Sequence, residues 1–181
     1  MCFELRPFSE IPGSPVLSIQ VEIARPEPTI LSLRYRLTGA IARLAIPGPA
    51  APERTDELWR HTCFEAFLRP EPGEAYAELN LAPSSQWAAY SFTGYREGMA
   101  PAPIAAPRID STQTDTTLDL AAELNLAGLS LPPGACRLAL SAVIEETSGA
   151  KSYWALAHAP GRPDFHHRSS FACELPTEEA P

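Results

Sequence analysis

The sequence predicts an all-β protein, built as a two-sheet, mainly antiparallel β-sandwich in a single domain over residues 1–181. Apolar and polar residues alternate with a period of two in several segments, which indicates strands with one buried and one exposed face. Twenty prolines interrupt the chain every few residues, so long helices have little room. A length of 181 residues and a hydrophobic share of 45% fit one domain with a sizeable core.

The alternation is clearest in the first two predicted strands and in one near the end of the chain. Between the first two lies ARPEPT (24–29), a turn-like separator rich in proline. The residues expected on the buried faces are Leu17, Ile19, Val21 and Ile23, then Leu31, Leu33, Tyr35 and Leu37, then Leu138, Leu140, Ala142 and Ile144.

The middle of the chain holds three closely spaced strand candidates, CFEAFL (63–68), YAELNLA (76–82) and QWAAYSFTG (86–94). Short separators rich in Pro, Gly and Ser join them, so consecutive hairpins are expected. The segments 46–58 and 99–107 are rich in proline and are predicted to be irregular loops.

The last third of the chain contains one ambiguous element. Residues 108–120 favour a strand, whereas LDLAAELNLAGL (118–129) fits a strand or a short helix equally well. Ser148-Gly149 predicts a hairpin turn, and SYWALAH and FACEL are the last two strands. Residues 176–181 are expected to be a frayed acidic tail. About ten short strands fit a sandwich or a barrel, and unequal strand and loop lengths favour the sandwich.

Charge and composition exclude several classes of partner. The net charge of −8 repels phosphate backbones, so nucleic acid is not an expected partner. The sequence shows no apolar run long enough to span a bilayer and no secretory signal, which predicts a cytoplasmic protein without membrane contact. The four cysteines are far apart and form no CxxC pair, so free thiols are expected.

A polar sheet face in the middle hairpins is the first candidate site. Strand parity places Glu65, Glu78 and Asn80 on one face, with Trp87 a possible neighbour and Trp59 and His61 of the same parity as Glu65. This pattern fits a platform that bonds hydroxyls and stacks on an apolar ring, or equally a solvated outer face. Two glutamates on adjacent strands also satisfy the carboxyl spacing of a glycosidase, about 5–9.5 Å, which makes hydrolysis a lesser alternative.

The stretch YWALAHAPGRPDFHH (153–167) is the second candidate. His158, Asp164 and His166 lie within it, but adjacent strand residues point to opposite faces and nothing in the spacing demands a metal ion. Trp154 shares the parity of Leu156 and fits either the core or a ligand wall. A haem would need an axial ligand such as Met99, the single internal methionine.

Three phrases of the sequence resemble bacterial proteins of the DOMON-like class, which is related to carbohydrate-binding module family 9. They are LWRHTCFEAFL (58–68), the run 76–99 and the run 142–167, and the resemblance covers roughly residues 16–175. It implies an immunoglobulin-like or jelly-roll β-sandwich used for ligand binding.

Relatives in that wider superfamily bind sugars between tryptophans or bind haem b in electron-transfer domains. The resemblance implies a Trp59–Glu65 pattern for a sugar, with Trp87 or Trp154 as the second wall. For haem it implies Met99 paired with His158 or His166.

We therefore expect a non-catalytic module that binds a small, sugar-like ligand by aromatic stacking and hydroxyl hydrogen bonds. The alternatives are a haem b electron-transfer domain and a protein-interaction domain without a small ligand. Neither a metal nor a resident cofactor is expected. The predicted ligand-binding residues are Trp59, His61, Glu65, Glu78, Asn80, Trp87, Trp154, His158, Asp164 and His166.

Overall fold

A computed structural model describes residues 1–129 and 136–175, and the predicted tail at 176–181 lies outside them. Within those ranges the protein is all-β, with short 3-10 turns and no helix long and apolar enough to cross a membrane. The strands are β1 (Cys2–Pro7), β2 (Val16–Glu27), β3 (Ile30–Gly39), β4 (Cys63–Pro70), β5 (Tyr76–Leu81), β6 (Trp87–Phe92), β7 (Ala100–Pro101), β8 (Arg108–Gln113), β9 (Thr117–Asn125), β10 (Cys136–Glu145), β11 (Lys151–Ala155) and β12 (Cys173–Glu174).

All pairings between these strands are antiparallel, and they form one curled sheet in the order β7-β6-β5-β4-β10-β11-β1-β2-β3-β9-β8. Strand β12 pairs with β10 beside this path. The all-β, antiparallel prediction is confirmed, whereas a division into two separate sheets is not. Strand β1, which the sequence analysis did not predict, joins the two parts of the sheet. Its residue Phe3 pairs with Val21 of β2, and its residue Arg6 pairs with Ala155 of β11.

A β-bulge changes the predicted face of Leu17. The pairing of β2 with β3 shifts register between Val16 and Ser18, so Val16 is buried and Leu17 is 76% exposed. From Ile19 to Ile23 the predicted alternation holds, and each apolar residue there is buried.

The ambiguous segment 118–129 is mainly a strand. Strand β9 pairs with β3 along its whole length, from Thr117 opposite Thr38 to Asn125 opposite Ile30, and a 3-10 turn at Ala127–Leu129 follows. Leu118, Leu120 and Leu124 are buried and share one face of β9, as expected of a strand. Pairing with β3 therefore outweighs the helix propensity of this segment. The predicted single strand at 108–120 is a hairpin of β8 and β9.

Strands β4, β5 and β10 are buried on both faces. Their inner face joins the main core, where Phe64 packs against Tyr35 with ring centroids 4.9 Å apart. Their outer face, together with β6 and β11, carries a second cluster, which the loop 156–172 covers. We call it the outer aromatic cluster, and it consists of Phe67, Tyr76, Ala88, Tyr90, Phe92, Ala139, Val143, Ala155, Phe165 and Phe171.

Candidate functional site

A cavity of about 360 Å³ lies on the outer face of the sheet, beside the outer aromatic cluster. Four aromatic side chains from four different segments form much of its wall, namely Trp59, Phe92, Tyr153 and Phe165. Its polar lining consists of Glu65, Glu78, Arg96 and His166. The rest of the wall is apolar and is formed by Met99, Val143 and Pro163. A small, mostly apolar pocket with a few convergent polar groups is typical of a ligand site.

Two buried carboxyl groups form the polar part of the cavity. Glu65 on β4 pairs with Asn80 on β5, and Glu78 pairs with Phe67, so the two glutamates are diagonal neighbours on one sheet face. Glu65 is only 2% exposed and Glu78 only 4%. The structure thus brings Glu65, Glu78 and Asn80 together, but under the loop 156–172 rather than on a solvated surface.

The hydrogen bonds to these carboxyl groups are few. The Asn80 amide donates to Glu78 Oε1 at 2.8 Å, and the Ser141 hydroxyl donates to Glu65 Oε2 at a long 3.4 Å. Among the residues the structure describes, no group bonds to Glu65 Oε1. Asn80 itself is fully buried and positions Glu78 without lining the cavity.

Burial shifts the pKa of both carboxyl groups upwards, because removal from water disfavours their charged forms. It raises the pKa of Glu78 to about 7, although the Asn80 hydrogen bond and the charge of Arg96 both act to lower it. The pKa of Glu65 lies well above its usual range, through burial first and the negative charge of Glu78 second. Burial therefore favours the protonated form of both carboxyl groups, and Glu78 is partly ionised at neutral pH.

His166 forms the other polar wall and is neutral. Its Nδ1 lies 2.7 Å from the Tyr76 hydroxyl, which accepts a hydrogen bond from the Arg96 backbone N–H. The Tyr76 proton is therefore available to Nδ1, and the N–H of His166 is then at Nε2, 3.8 Å from Glu78 Oε2. Burial, followed by the charge of Arg96, lowers the pKa of His166 to about 4, so this contact is not an ion pair at neutral pH.

A network of side chains fixes the rim of the cavity. The Arg96 guanidinium donates to Asp164 Oδ1 at 2.8 Å, and the Tyr95 hydroxyl donates to Oδ2 of the same carboxylate. Burial acts to raise the pKa of Asp164, but these two hydrogen bonds prevail and hold it below its usual value. Asp164 thus orients the rim instead of lining the cavity.

Backbone strain marks two segments that contribute side chains to the cavity. Arg96 has a φ of +56°, and Glu57, directly before the 3-10 turn that carries Trp59, has a φ of +63°. Residues other than glycine rarely adopt this left-handed conformation, and such strain clusters at functional sites.

Four of the predicted site residues lie away from the cavity. Trp87 pairs with Leu81, and both Trp87 and Trp154 are buried in the inner core, so neither is a ligand wall there. His61 Nδ1 contacts Glu145 Oε2 at 2.7 Å on the surface, and His158 Nε2 contacts the Arg6 carbonyl at 2.8 Å.

Several cavity residues are absent from the sequence prediction. Strand parity could have predicted Tyr153. Its neighbour Trp154 faces the core, and adjacent residues in a strand face opposite sides. Phe92 faces the cavity from the end of β6, where it pairs with Tyr76 of β5. Arg96 and Phe165 show no comparable signal, because the turn 93–98 and the loop 156–172 place them. Within residues 1–129 and 136–175, no group of three His, Cys, Asp or Glu side chains is arranged to hold a metal ion.

No protein-family model and no curated protein sequence matches this chain. Among solved structures, a putative carbohydrate-binding protein from Bacteroides uniformis is similar, with a TM-score of 0.65 and 14% identity over 93% of this chain and 84% of that one.

Two structures of a carbohydrate binding module family 9 domain from Caldicellulosiruptor kristjanssonii are also similar. The complex with glucose has a TM-score of 0.53 and 9% identity, covering 90% of this chain and 78% of that one. The complex with cellotriose has a TM-score of 0.56 and 8% identity, covering 89% and 74%. These likenesses show that the chain shares its fold with these three structures.

Proposed function

We propose that this protein is a non-catalytic binding module for a small, sugar-like ligand held in the outer cavity. One observation carries the proposal, namely a single cavity in which aromatic side chains surround hydrogen-bonding groups from β4, β5 and the loop 156–172. A volume of about 360 Å³ is near the lower end for ligand pockets and suits one or two sugar rings.

The chemistry of the lining matches the needs of a sugar. The apolar face of a sugar ring packs against aromatic surface, here that of Trp59 and Tyr153. In its protonated form Glu65 donates to a hydroxyl, in its ionised form Glu78 accepts from one, and Arg96 donates at the rim. The similar solved structures, which are carbohydrate-binding proteins by description, support this class of ligand.

Binding without catalysis fits the same geometry better than hydrolysis by a Glu65 and Glu78 pair. A glycosidase must bring water and both carboxyl groups against the scissile bond. Here Glu65 is 2% exposed, and Asn80 engages one oxygen of Glu78. Two of the similar structures are of binding modules, which agrees with a binding role.

Replacing Trp59 with alanine is expected to weaken sugar binding by on the order of 1–3 kcal/mol, about five- to hundredfold in Kd. Isothermal titration calorimetry with a panel of neutral and charged sugars measures the change. Trp87→Phe is the matched control, because Trp87 lies in the inner core and its loss affects stability and not affinity. Unchanged affinity in Trp59→Ala would contradict the stacking role. If no sugar of the panel gave a heat of binding, a protein-interaction domain would be favoured.

Haem b is the second candidate ligand, because Met99 and His166 line the same cavity. His158 does not, which leaves Met99 with His166 as the remaining predicted pair. Nδ1 of His166 is engaged by Tyr76, and a Glu78 oxygen lies 3.8 Å from Nε2, the atom that would have to bind iron. This crowding is why we rank haem below a sugar.

Titration of the purified protein with haem tests the second candidate by absorbance. If the pair binds iron, a sharp Soret band develops and shifts in Met99→Leu, since the axial ligand sets the spectrum. Leu17→Met, which places a thioether on the exposed side of β2, is the control that leaves the band unchanged. A spectrum equal to that of free haem would remove this candidate.

A further inference from the structure

The carboxyl pair in the cavity forms no direct ion pair with a cationic side chain, although the charge of Arg96 acts on it from the rim. Among the described residues, no Lys or Arg side chain forms an ion pair with Glu65 or Glu78. Arg96 lines the same cavity, but its guanidinium is committed to Asp164 at 2.8 Å and is half exposed. His166, which does approach Glu78, is neutral.

Such a pair is costly in the ligand-free protein whichever protonation state it adopts. Ionised carboxylates without a partner are strongly disfavoured when buried, and a protonated carboxyl keeps hydrogen-bonding capacity that must be satisfied. Glu65 Oε1 has no partner among the described residues, although Glu65 lines the cavity. A neutral hydroxyl would satisfy the hydrogen bond, whereas a cation would satisfy both the hydrogen bond and the charge.

The walls of the cavity favour the same kind of group. Trp59, Phe92, Tyr153 and Phe165 line the same cavity as the carboxyl pair. The faces of aromatic rings attract ammonium groups, and cages of such rings are a recurrent means of binding them. Aromatic walls and two unpaired carboxyl groups together form a site for a group that is both positive and partly apolar.

We infer that the cavity selects a sugar-like ligand that carries an ammonium group, such as an amino sugar, with the ammonium between Glu65, Glu78 and the aromatic walls. The inference rests on the proposed function and adds the chemical class of the ligand. A neutral or N-acetylated sugar of the same shape binds more weakly, because it forms no ion pair with the two carboxyl groups.

Binding of the cation releases protons to the solvent. The ammonium favours the ionised forms of Glu65 and Glu78, so a proton held by the pair at neutral pH dissociates. The other titratable groups near the pair lie on β4, β5, β6 and β11, in the turn 93–98 and in the loop 156–172. They are Cys63 on β4, Tyr76 on β5, Tyr90 on β6, Tyr95 and Arg96 in the turn 93–98, Tyr153 on β11, and Asp164 and His166 in the loop 156–172.

Calorimetry near pH 6.5 with glucosamine, glucose, N-acetylglucosamine and tetramethylammonium tests the inference. Glucosamine is expected to bind about tenfold tighter than glucose or more, since hydrogen bonds to charged groups are the strong ones. Repeating the titration in buffers of different ionisation enthalpy measures proton release, which is expected for glucosamine and absent for glucose.

The outcomes separate this inference from the proposed function. If glucose binds with the same affinity as glucosamine, and neither releases protons, the inference is overturned and the proposed function is left intact. Binding of tetramethylammonium with no sugar bound overturns the sugar ligand and supports the cation site. If none of the four ligands gives a heat of binding, the inference and the proposed function are both overturned.

A pair of variants tests the role of the carboxyl group itself. Glu78→Gln keeps the shape of the side chain and is expected to remove most of the preference for glucosamine over glucose. Glu97→Gln changes an exposed glutamate of the turn 93–98 that does not line the cavity, and is expected to keep the preference. Equal preference in Glu78→Gln and the wild type would contradict the inference.

Discussion

Raising the pH from about 6.5 to about 8.5 is expected to lower the free energy of unfolding of the ligand-free protein, by about 1 kcal/mol through Glu78 and further through Glu65. The cause is the buried pair Glu65 and Glu78. In the unfolded chain both carboxyl groups are ionised throughout this range, whereas burial raises the pKa of Glu78 to about 7 and that of Glu65 well above its usual value. Each pH unit over which the folded state alone holds a proton removes about 1.4 kcal/mol.

The sign follows from the direction of each shift. A carboxyl group with a raised folded-state pKa contributes stability below its unfolded pKa, 4.5 for Glu78, and loses it as the pH rises through the folded value. His166 acts in the opposite sense, because its pKa falls from 6.5 to about 4, so its contribution is lost as the pH falls. Above about pH 6.5 the His166 contribution changes little, so the carboxyl pair is the main titrating group. A smaller contribution near pH 8.5 comes from the buried thiols of Cys63, Cys136 and Cys173, whose pKa burial raises.

Urea unfolding at three pH values across this range measures the effect. The double variant Glu65→Gln with Glu78→Gln is expected to lose most of the pH dependence. Glu123→Gln, which alters an exposed glutamate on β9, is expected to keep the wild-type slope. A double variant with the wild-type slope would show that other groups control the pH dependence.

Period-two alternation predicts much of this fold, because strand parity is a local property of the chain. In β3, each apolar residue from Leu31 to Leu37 is buried as predicted, and β10 behaves in the same way from Leu138 to Ile144. Glu65 and Glu78 share a face as predicted, because the apolar residues that alternate with them, Phe64 on β4 and Leu79 on β5, both face the main core.

Parity alone does not fix what happens across a turn. Trp87 follows the turn after β5, and its pairing with Leu81 places it on the inner face, one position away from Ala88, which pairs with Asn80. A shift of one residue in register moves a side chain to the other face of the sheet. The turn geometry that sets this register is not encoded in the alternation of apolar and polar residues.

The covering of the outer face is equally hidden in the sequence. Polar residues at alternate positions predict a solvated surface, and Glu65 and Glu78 follow that pattern. They are buried because the loop 156–172 folds back over them, fixed by Phe165 and Phe171, which have no periodic spacing. A long-range contact of this kind depends on the tertiary structure, so sequence analysis finds the carboxyl pair but not the cavity.

Replacing Phe67 with alanine is expected to destabilise the protein by about 3–5 kcal/mol and to abolish ligand binding by the molecules that remain folded. Phe67 is fully buried on the outer face of β4, and its ring centroid lies 5.2 Å from that of His166 and 6.3 Å from that of Phe171. His166 and Phe171 both belong to the loop 156–172, which covers the outer face of the sheet beside the cavity. Loss of the ring therefore removes the support of the loop as well as core volume.

Leu33→Ala separates the two effects, because Leu33 is fully buried in the inner core on β3, away from the cavity. It is expected to lose about 2–5 kcal/mol of stability and to keep the affinity of the folded protein. Phe67→Leu, which retains most of the volume, is expected to cost about 1 kcal/mol and to weaken binding only partly. Urea unfolding and calorimetry below the unfolding transition measure the two quantities, and wild-type affinity in Phe67→Ala would mean that the loop holds its position without support from the sheet.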